Sequence, residues 1–206
     1  MITEQIQSVL DKMHEILHNA VGPRNRREYM IENGISDEYW HFSLTADDII
    51  KNKIPANVMG CTGRAKLFCK LAAENGIDCF VVCCAKLTDW YASREYRIES
   101  NHRKIKTMSG HQVIMVEIDG KLKMFDPGLK QLNFLDCIPD VGNIVKFPGE
   151  SQQYLITAVM KPSDFAKMDS AKKFCHVYAS GDMNNPEFTI VPRKNKVFFQ
   201  NIMERR

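Results

Sequence analysis

The sequence predicts an α+β fold for this chain of 206 residues, because helical patterns come first along the chain and strand patterns follow. Residues 3–18 carry apolar side chains at intervals of three and four positions, which is typical of an amphipathic helix. Residues 111–118 and 121–127 form two strand-like runs around Asp119-Gly120, a dipeptide that favours a two-residue hairpin turn. We therefore expect helices packed on an antiparallel sheet.

The intervening segments predict further elements of both kinds. Thr45 is a candidate N-cap for one helix, and Asn75-Gly76 ends another. The polar stretch at 88–109 indicates a long loop, a feature that is often functional in a compact domain. The predicted ranges are helices at 46–52 and 61–75, strands at 77–87 and 153–160, a turn-rich segment at 129–150 and strand candidates at 188–191 and 196–199.

The length fits one domain over residues 1–206. Within it we expect a core at about 45–160, a helical N-terminal segment at 1–44 and a C-terminal β extension at 161–206.

Charge and apolar content narrow the class of protein. The net charge of +3 is too small to indicate a nucleic-acid partner, and the local basic clusters lack interleaved aromatic residues. The chain contains no apolar run of the ~18 residues that a membrane helix requires. No secretory signal is visible, so we expect a cytoplasmic protein without a membrane partner.

Cysteine usage fits the same compartment. Seven cysteines leave at least one unpaired in a monomer, and reduced thiols are the rule in the cytoplasm. Ligand spacing for zinc or calcium is not found, so we expect no metal and no cofactor.

Cys61 is the first candidate for a catalytic side chain. It follows Gly60 and opens the helix predicted at 61–75. Free amides and the helix dipole at such a position stabilise a thiolate, the nucleophilic form of cysteine. Gly60 and Gly63 allow close approach of backbone. The alternative is that Cys61 is a buried helix residue pointing at the core.

The hairpin brings a second pair of candidates together. The two-residue turn at 119–120 sets the pairing of the strands, so that Val113 faces Asp126. His111 lies two positions from Val113 on the same face of the sheet, within side-chain reach of Asp126. A carboxylate there would accept from one imidazole nitrogen and leave the other to act as a base. The alternative is a surface histidine beside an aspartate in a turn.

Three segments in order resemble the transglutaminase-like superfamily. Residues 60–67 are similar to its Gly-Cys nucleophile motif, residues 110–116 to its histidine strand and residues 121–127 to its Asp-Pro strand. The resemblance covers about residues 55–130. It implies the papain-like α+β core, in which the cysteine-bearing helix packs on an antiparallel sheet.

The resemblance also implies a function. Cys61, His111 and Asp126 would form the catalytic triad of a cysteine-dependent acyl-transfer enzyme, with a thioester on Cys61 as its intermediate. We expect a peptide or protein substrate, and hydrolysis as in a peptidase or amidase rather than cross-linking. The alternatives are an acyltransferase similar to arylamine N-acetyltransferases and a non-catalytic binding module on the same fold. The native substrate and the oligomeric state are not indicated.

An acyl-transfer site also requires two donors to the oxyanion. The backbone N–H of Cys61 is the natural first donor. The side chain of Asn57 or the indole of Trp40 could supply the second. The pattern favours a turn after Pro55-Ala56 for Asn57, and it favours the core for Trp40.

Overall fold

The computed structural model of the chain describes residues 1–18, 25–36, 39–86, 110–135 and 143–166. The loop predicted at 88–109 and the strand candidates at 188–191 and 196–199 lie outside these ranges.

Two helices open the chain. Helix α1 spans Ile2–His18, and its inward face is fully buried at the predicted spacing by Ile6, Leu10, Met13 and Leu17. Helix α2 spans Arg26–Glu32 and begins after Asn25, whose side chain accepts a hydrogen bond from the backbone of Glu28.

A short helix precedes the central one. A π-helical segment at Tyr39–Ser43 leads to α3 at Ala46–Lys51. Thr45 caps α3 as predicted. Its hydroxyl accepts from the backbone N–H of Asp48 at 3.1 Å, while its own N–H donates to the Asp48 carboxylate at 3.0 Å. This reciprocal pair satisfies donors that the helix start would otherwise leave free.

Helix α4, at Cys61–Glu74, is the central helix of the fold. Its bounds match the predicted helix to within one residue. Half of its side chains are buried, and Phe68 contacts Phe125 of the sheet edge-on, with ring centroids 5.2 Å apart. Helix α4 therefore lies directly on the sheet.

Among the described residues, the sheet contains six antiparallel strands. They are β1 Cys79–Lys86, β2 Gly110–Ile118, β3 Lys121–Phe125, β4 Phe134–Leu135, β5 Ile144–Lys146 and β6 Gln153–Met160. Their spatial order is β4-β3-β2-β1-β6-β5, and a short helix, α5 at Pro162–Ala166, follows β6. Strands β4 and β5 lie in the segment predicted as turn-rich. The sequence did not predict them because runs of two and three residues are too short to show alternation. The coarse prediction of an α+β fold is confirmed.

The hairpin between β2 and β3 has the predicted register. Ile118 pairs with Lys121, and Ile114 pairs with Phe125. Asp119 and the following glycine both have positive φ, at 51° and 72°, as the two-residue type I′ turn requires. Continuing this register by one residue places position 126 opposite Val113.

In the part of the chain that the structure describes, no helix is both long and apolar enough to cross a membrane.

We predict that Gly63→Ala destabilises the fold. A Cβ at position 63 would overlap the sulfur of Met59, and overpacking of this kind typically costs about 1–3 kcal/mol. Alanine would otherwise favour the helix by up to about 1 kcal/mol over glycine. The free energy of unfolding from urea titration measures the balance. Ala73→Gly, at an exposed position of the same helix, calibrates the propensity term alone. A Gly63→Ala protein more stable than the wild type would show that Met59 repacks freely.

Candidate active site

The start of α4 meets the first residues of β2. Cys61 is the first residue of α4, and Gly60 occupies the N-cap position without a side-chain cap. The Cys61 side chain is half-buried. The thiol therefore lies at the positive end of a helix of 14 residues, where a thiolate is stabilised.

Gln112 on β2 contacts the thiol directly. Its side-chain oxygen accepts from Cys61 Sγ at 2.8 Å and from Thr62 Oγ1 at 3.0 Å. Gln112 is only 4% exposed and is one of two buried polar residues among those described. These hydrogen bonds explain how its amide tolerates burial.

His111 and Asp126 form the pair expected from the hairpin register. His111 Nε2 lies 2.8 Å from Asp126 Oδ2. The other carboxylate oxygen of Asp126 accepts from the backbone N–H of Gly128 at 2.7 Å. The rings of Phe147 and Tyr154 pack against the imidazole, with centroids at 4.6 and 6.0 Å. The imidazole is thus held in one orientation by a carboxylate and two aromatic rings.

Cys61 and His111 interact electrostatically. Burial raises the pKa of the Cys61 thiol, but a hydrogen bond to His111 and the charge of the imidazolium outweigh it, so that the pKa lies below the ordinary value of 9.0. Because Nε2 is engaged with Asp126, the nitrogen left for the sulfur is Nδ1. His111 is therefore hydrogen-bonded to Asp126 and electrostatically coupled to Cys61.

The same contacts shift the pKa of His111 and the pKa of Asp126. Burial lowers the pKa of His111, but hydrogen bonds to Asp126 and Cys61 and their charges raise it to about 10. Burial raises the pKa of Asp126, yet the hydrogen bond and charge of His111 bring it below 3.8. At pH values between the lowered pKa of Cys61 and about 10, Cys61 is a thiolate and His111 is an imidazolium.

Arg64 is a further charge at the site. It is partly buried on α4, and its guanidinium donates to the carbonyls of Ala56 and Met59 at 2.9 and 3.3 Å. Burial lowers the pKa of Arg64, while the charges of Asp126 and Cys61 raise it. In return, its positive charge helps to lower the pKa of Asp126. Arg64 therefore hydrogen-bonds to the turn before Cys61, and its charge acts on the carboxylate of Asp126.

Helix α1 anchors the loop that follows Asp126. His14 Nε2 lies 2.9 Å from the carbonyl of Leu129. The amide of Gln7 donates to the carbonyl of Lys130 at 3.0 Å and accepts from the N–H of Leu132 at 2.7 Å. These contacts span more than 110 positions of sequence, and they hold the loop against the helix.

The two candidates for a second oxyanion donor occupy different environments. Trp40 is 6% exposed, contacts Tyr29 edge-on with ring centroids 5.9 Å apart, and carries the Arg26 guanidinium over its ring at 5.8 Å. These contacts are those of a core residue. Asn57 lies in a turn and lines a surface cavity.

The sequence patterns did not indicate that Gln112, Arg64 or Arg26 lies at or beside this site. Gln112 follows His111 on a strand, where alternation would send it to the opposite face and away from the site. Only the placement of Cys61 at the end of the sheet brings both neighbours to the sulfur. Arg64 stands within the nucleophile motif, so its nearness to Cys61 was readable, but its nearness to Asp126 was not.

Among the residues that the structure describes, no group of three or more His, Cys, Asp or Glu side chains is placed to hold a metal ion. None of the five described cysteines is in a disulfide.

Comparison of the chain with models of protein families, with curated proteins and with solved structures finds no match.

We predict that Cys61 alkylates at lower pH than an ordinary thiol. Its lowered pKa means that the thiolate fraction rises with pH at values below 9, and only the thiolate reacts. His111→Ala removes the hydrogen bond and charge that lower this pKa most and leaves burial and the backbone hydrogen bonds of Gln112 and Thr62, so its profile should move to higher pH. The measurement is the rate of iodoacetamide labelling at Cys61 against pH, read by mass spectrometry.

The matched control is His14→Gln, which changes another histidine and retains a donor for Leu129. It should leave the labelling profile in place. Identical profiles for the wild type and His111→Ala would contradict the coupling of sulfur and imidazole.

Proposed function

We propose that the chain is a cysteine-dependent acyl-transfer enzyme that hydrolyses amide bonds in a peptide or protein through a thioester on Cys61. The observation that carries the proposal is the coupling of thiol, imidazole and carboxylate at one site. His111 and Asp126 share a hydrogen bond of 2.8 Å, and the opposite pKa shifts of Cys61 and His111 express the coupling of the imidazole to the sulfur. Such nucleophile, base and orienting acid define this class of catalysis.

The chemistry would proceed in two steps. The Cys61 thiolate attacks the amide carbonyl carbon, and the carbonyl electron pair moves to oxygen. Protonated His111 then gives its proton to the leaving amine as the C–N bond breaks, which leaves a thioester and a neutral imidazole. In the second step His111 takes a proton from water as the water attacks the thioester. The C–S bond then breaks, which releases the carboxylic acid and restores the Cys61 thiolate beside protonated His111.

Asp126 would hold the imidazole through both steps. Its carboxylate accepts from Nε2, which keeps Nδ1 directed at the reacting groups and stabilises the positive imidazolium.

We propose Gln112 as the second oxyanion donor in place of Asn57 or Trp40. Its amide lies against the sulfur at 2.8 Å, so a tetrahedral oxygen bonded to the carbon on that sulfur falls within its reach. Its oxygen accepts from the thiol and from Thr62. Once the sulfur is a thiolate, rotation of the amide would present Nε2, which carries two N–H donors. The backbone N–H of Cys61 would be the other donor.

The arrangement of elements supports relation to the transglutaminase-like, papain-like core. A cysteine-bearing helix packs on an antiparallel sheet, the histidine lies on β2, and the aspartate directly follows the end of the adjacent strand β3. Hydrolysis is favoured over cross-linking because the Cys61 side chain is only half-buried. Water can therefore compete for the thioester, whereas cross-linking requires a site that excludes it.

We predict that Cys61→Ala abolishes turnover and leaves the fold intact, because the half-buried thiol contributes little packing. Activity is measured on a library of N-acetyl tripeptide coumarylamides, and folding by circular dichroism and the urea midpoint. Cys83→Ala, which removes a cysteine from β1 on the sheet, is the matched control and should retain turnover. An active Cys61→Ala protein would refute the mechanism, and a wild type that turns over no acyl substrate would favour a binding module.

We predict that Gln112→Met lowers kcat by roughly 10²- to 10³-fold, the usual cost of losing one oxyanion donor, with little change in KM. Methionine keeps the length of the side chain and removes both amide atoms. The control is Thr157→Ala, which removes the other buried polar side chain of the described residues, a donor to the Cys83 carbonyl at 3.0 Å. Equal losses of kcat in the two variants would indicate a general effect of destabilisation instead.

A further inference from the structure

A surface cavity lies beside the segment that leads to Cys61. Its volume is about 680 Å³, within the range of sites that bind small ligands. One wall comes from α2 and the other from the turn immediately before Gly60. Its lining combines two positive charges with apolar side chains: Arg26, Arg27, Met30, Ile31, Val58 and Met59. We call it the arginine cavity.

Two contacts hold the Arg26 guanidinium at this position, and it lies over Gly60. Its Nε donates to the carbonyl of Val58 at 3.2 Å. Its central carbon lies 5.8 Å from the centroid of the Trp40 ring. One terminal nitrogen lies 2.7 Å from where a Cβ would stand on Gly60, so this guanidinium occupies the space that a side chain at position 60 would take. A group fixed in this way loses little conformational entropy when it binds a ligand.

The two arginines of the arginine cavity form no ion pair with the described residues. Neither Arg26 nor Arg27 has a described carboxylate within 4.0 Å. Arg26 uses Nε for Val58, which leaves the terminal N–H groups as donors in the planar fork that matches a carboxylate. The apolar wall includes Ile31, which is 71% exposed. An anion on an apolar stem would complement both features.

The cavity lies close to the nucleophile. Residues 60 and 61 are consecutive, and their Cα atoms are about 3.8 Å apart. The terminal nitrogen of Arg26 is therefore no more than about 8 Å from the Cα of Cys61. That spacing corresponds to two or three residues of extended chain.

We propose that the arginine cavity binds a carboxylate of the substrate, carried by an aspartate or glutamate within two or three residues of the scissile amide. This inference rests on the proposed function, whose substrate class it specifies. The carboxylate would accept two hydrogen bonds from the Arg26 guanidinium, with Arg27 adding charge. The methylene groups of the acidic side chain would contact Met30 and Ile31.

The first test measures kcat/KM on tripeptide coumarylamides that differ only by Glu against Gln at one position. The wild type should prefer Glu by roughly tenfold to a hundredfold, as expected for hydrogen bonds to a charged group. Arg26→Gln should abolish that preference through KM, and Arg26→Glu should reverse it in favour of Lys. Lys123→Gln, an exposed change on β3, should keep the wild-type preference.

The outcomes separate the two proposals. Turnover that depends on Cys61 but shows equal kcat/KM for Glu and Gln at every position would overturn the arginine cavity and leave the proposed function standing. If none of these amides is turned over, the result counts against the proposed function. The arginine cavity is then decided by the second test, which measures binding and does not require catalysis.

The second test measures binding to the Cys61→Ala protein. N-acetyl-glutamate N-methylamide is titrated into protein labelled with ¹⁵N at arginine side chains, and the matched glutamine compound is the control. The Nε–H signal of Arg26 should shift with the glutamate compound and stay in place with the glutamine compound. Absence of a selective shift at millimolar ligand would overturn the inference whatever the activity.

Discussion

The packing of α4 on the sheet determines where Cys61 lies. Phe68 is fully buried and meets Phe125 edge-on at 5.2 Å, and the sulfur of Cys69 lies 3.6 Å from that of Cys79 on β1. Because α4 begins at Cys61, this packing also places the thiol at the first residues of β2. A slip of one helical turn would move the sulfur by about 5.4 Å, out of reach of the imidazole and of Gln112.

The site holds its charges together in spite of burial. Burial alone would raise the pKa of Cys61 and of Asp126 and would lower the pKa of His111. Mutual hydrogen bonds and opposite charges outweigh that cost in each case, and Arg64 adds a positive charge near both acidic groups. The charged state of each member therefore depends on the others, which is why the chemistry proposed for the site requires the whole set.

The N-terminal helices contribute to both sides of the site. Helix α1 anchors the loop after Asp126 through Gln7 and His14, and α2 supplies Arg26 to the wall of the arginine cavity. The carboxylate and the proposed substrate pocket thus both depend on residues far from the catalytic motifs in sequence. Contacts of this kind leave no local pattern, because the spacing of α1 and α2 reports only which faces are buried.

Interactions between residues that are near one another in the chain could be predicted from the sequence. The Thr45 cap, the length of α4 and the hairpin register all depend on near neighbours, and the register alone brought His111 within reach of Asp126. The tertiary structure decided what comes from packing between distant segments. The distance from Cys61 to Gln112, the burial of Trp40 in the core and the position of Arg26 over Gly60 are of this kind. Each of these placements depends on how the helices pack on the sheet.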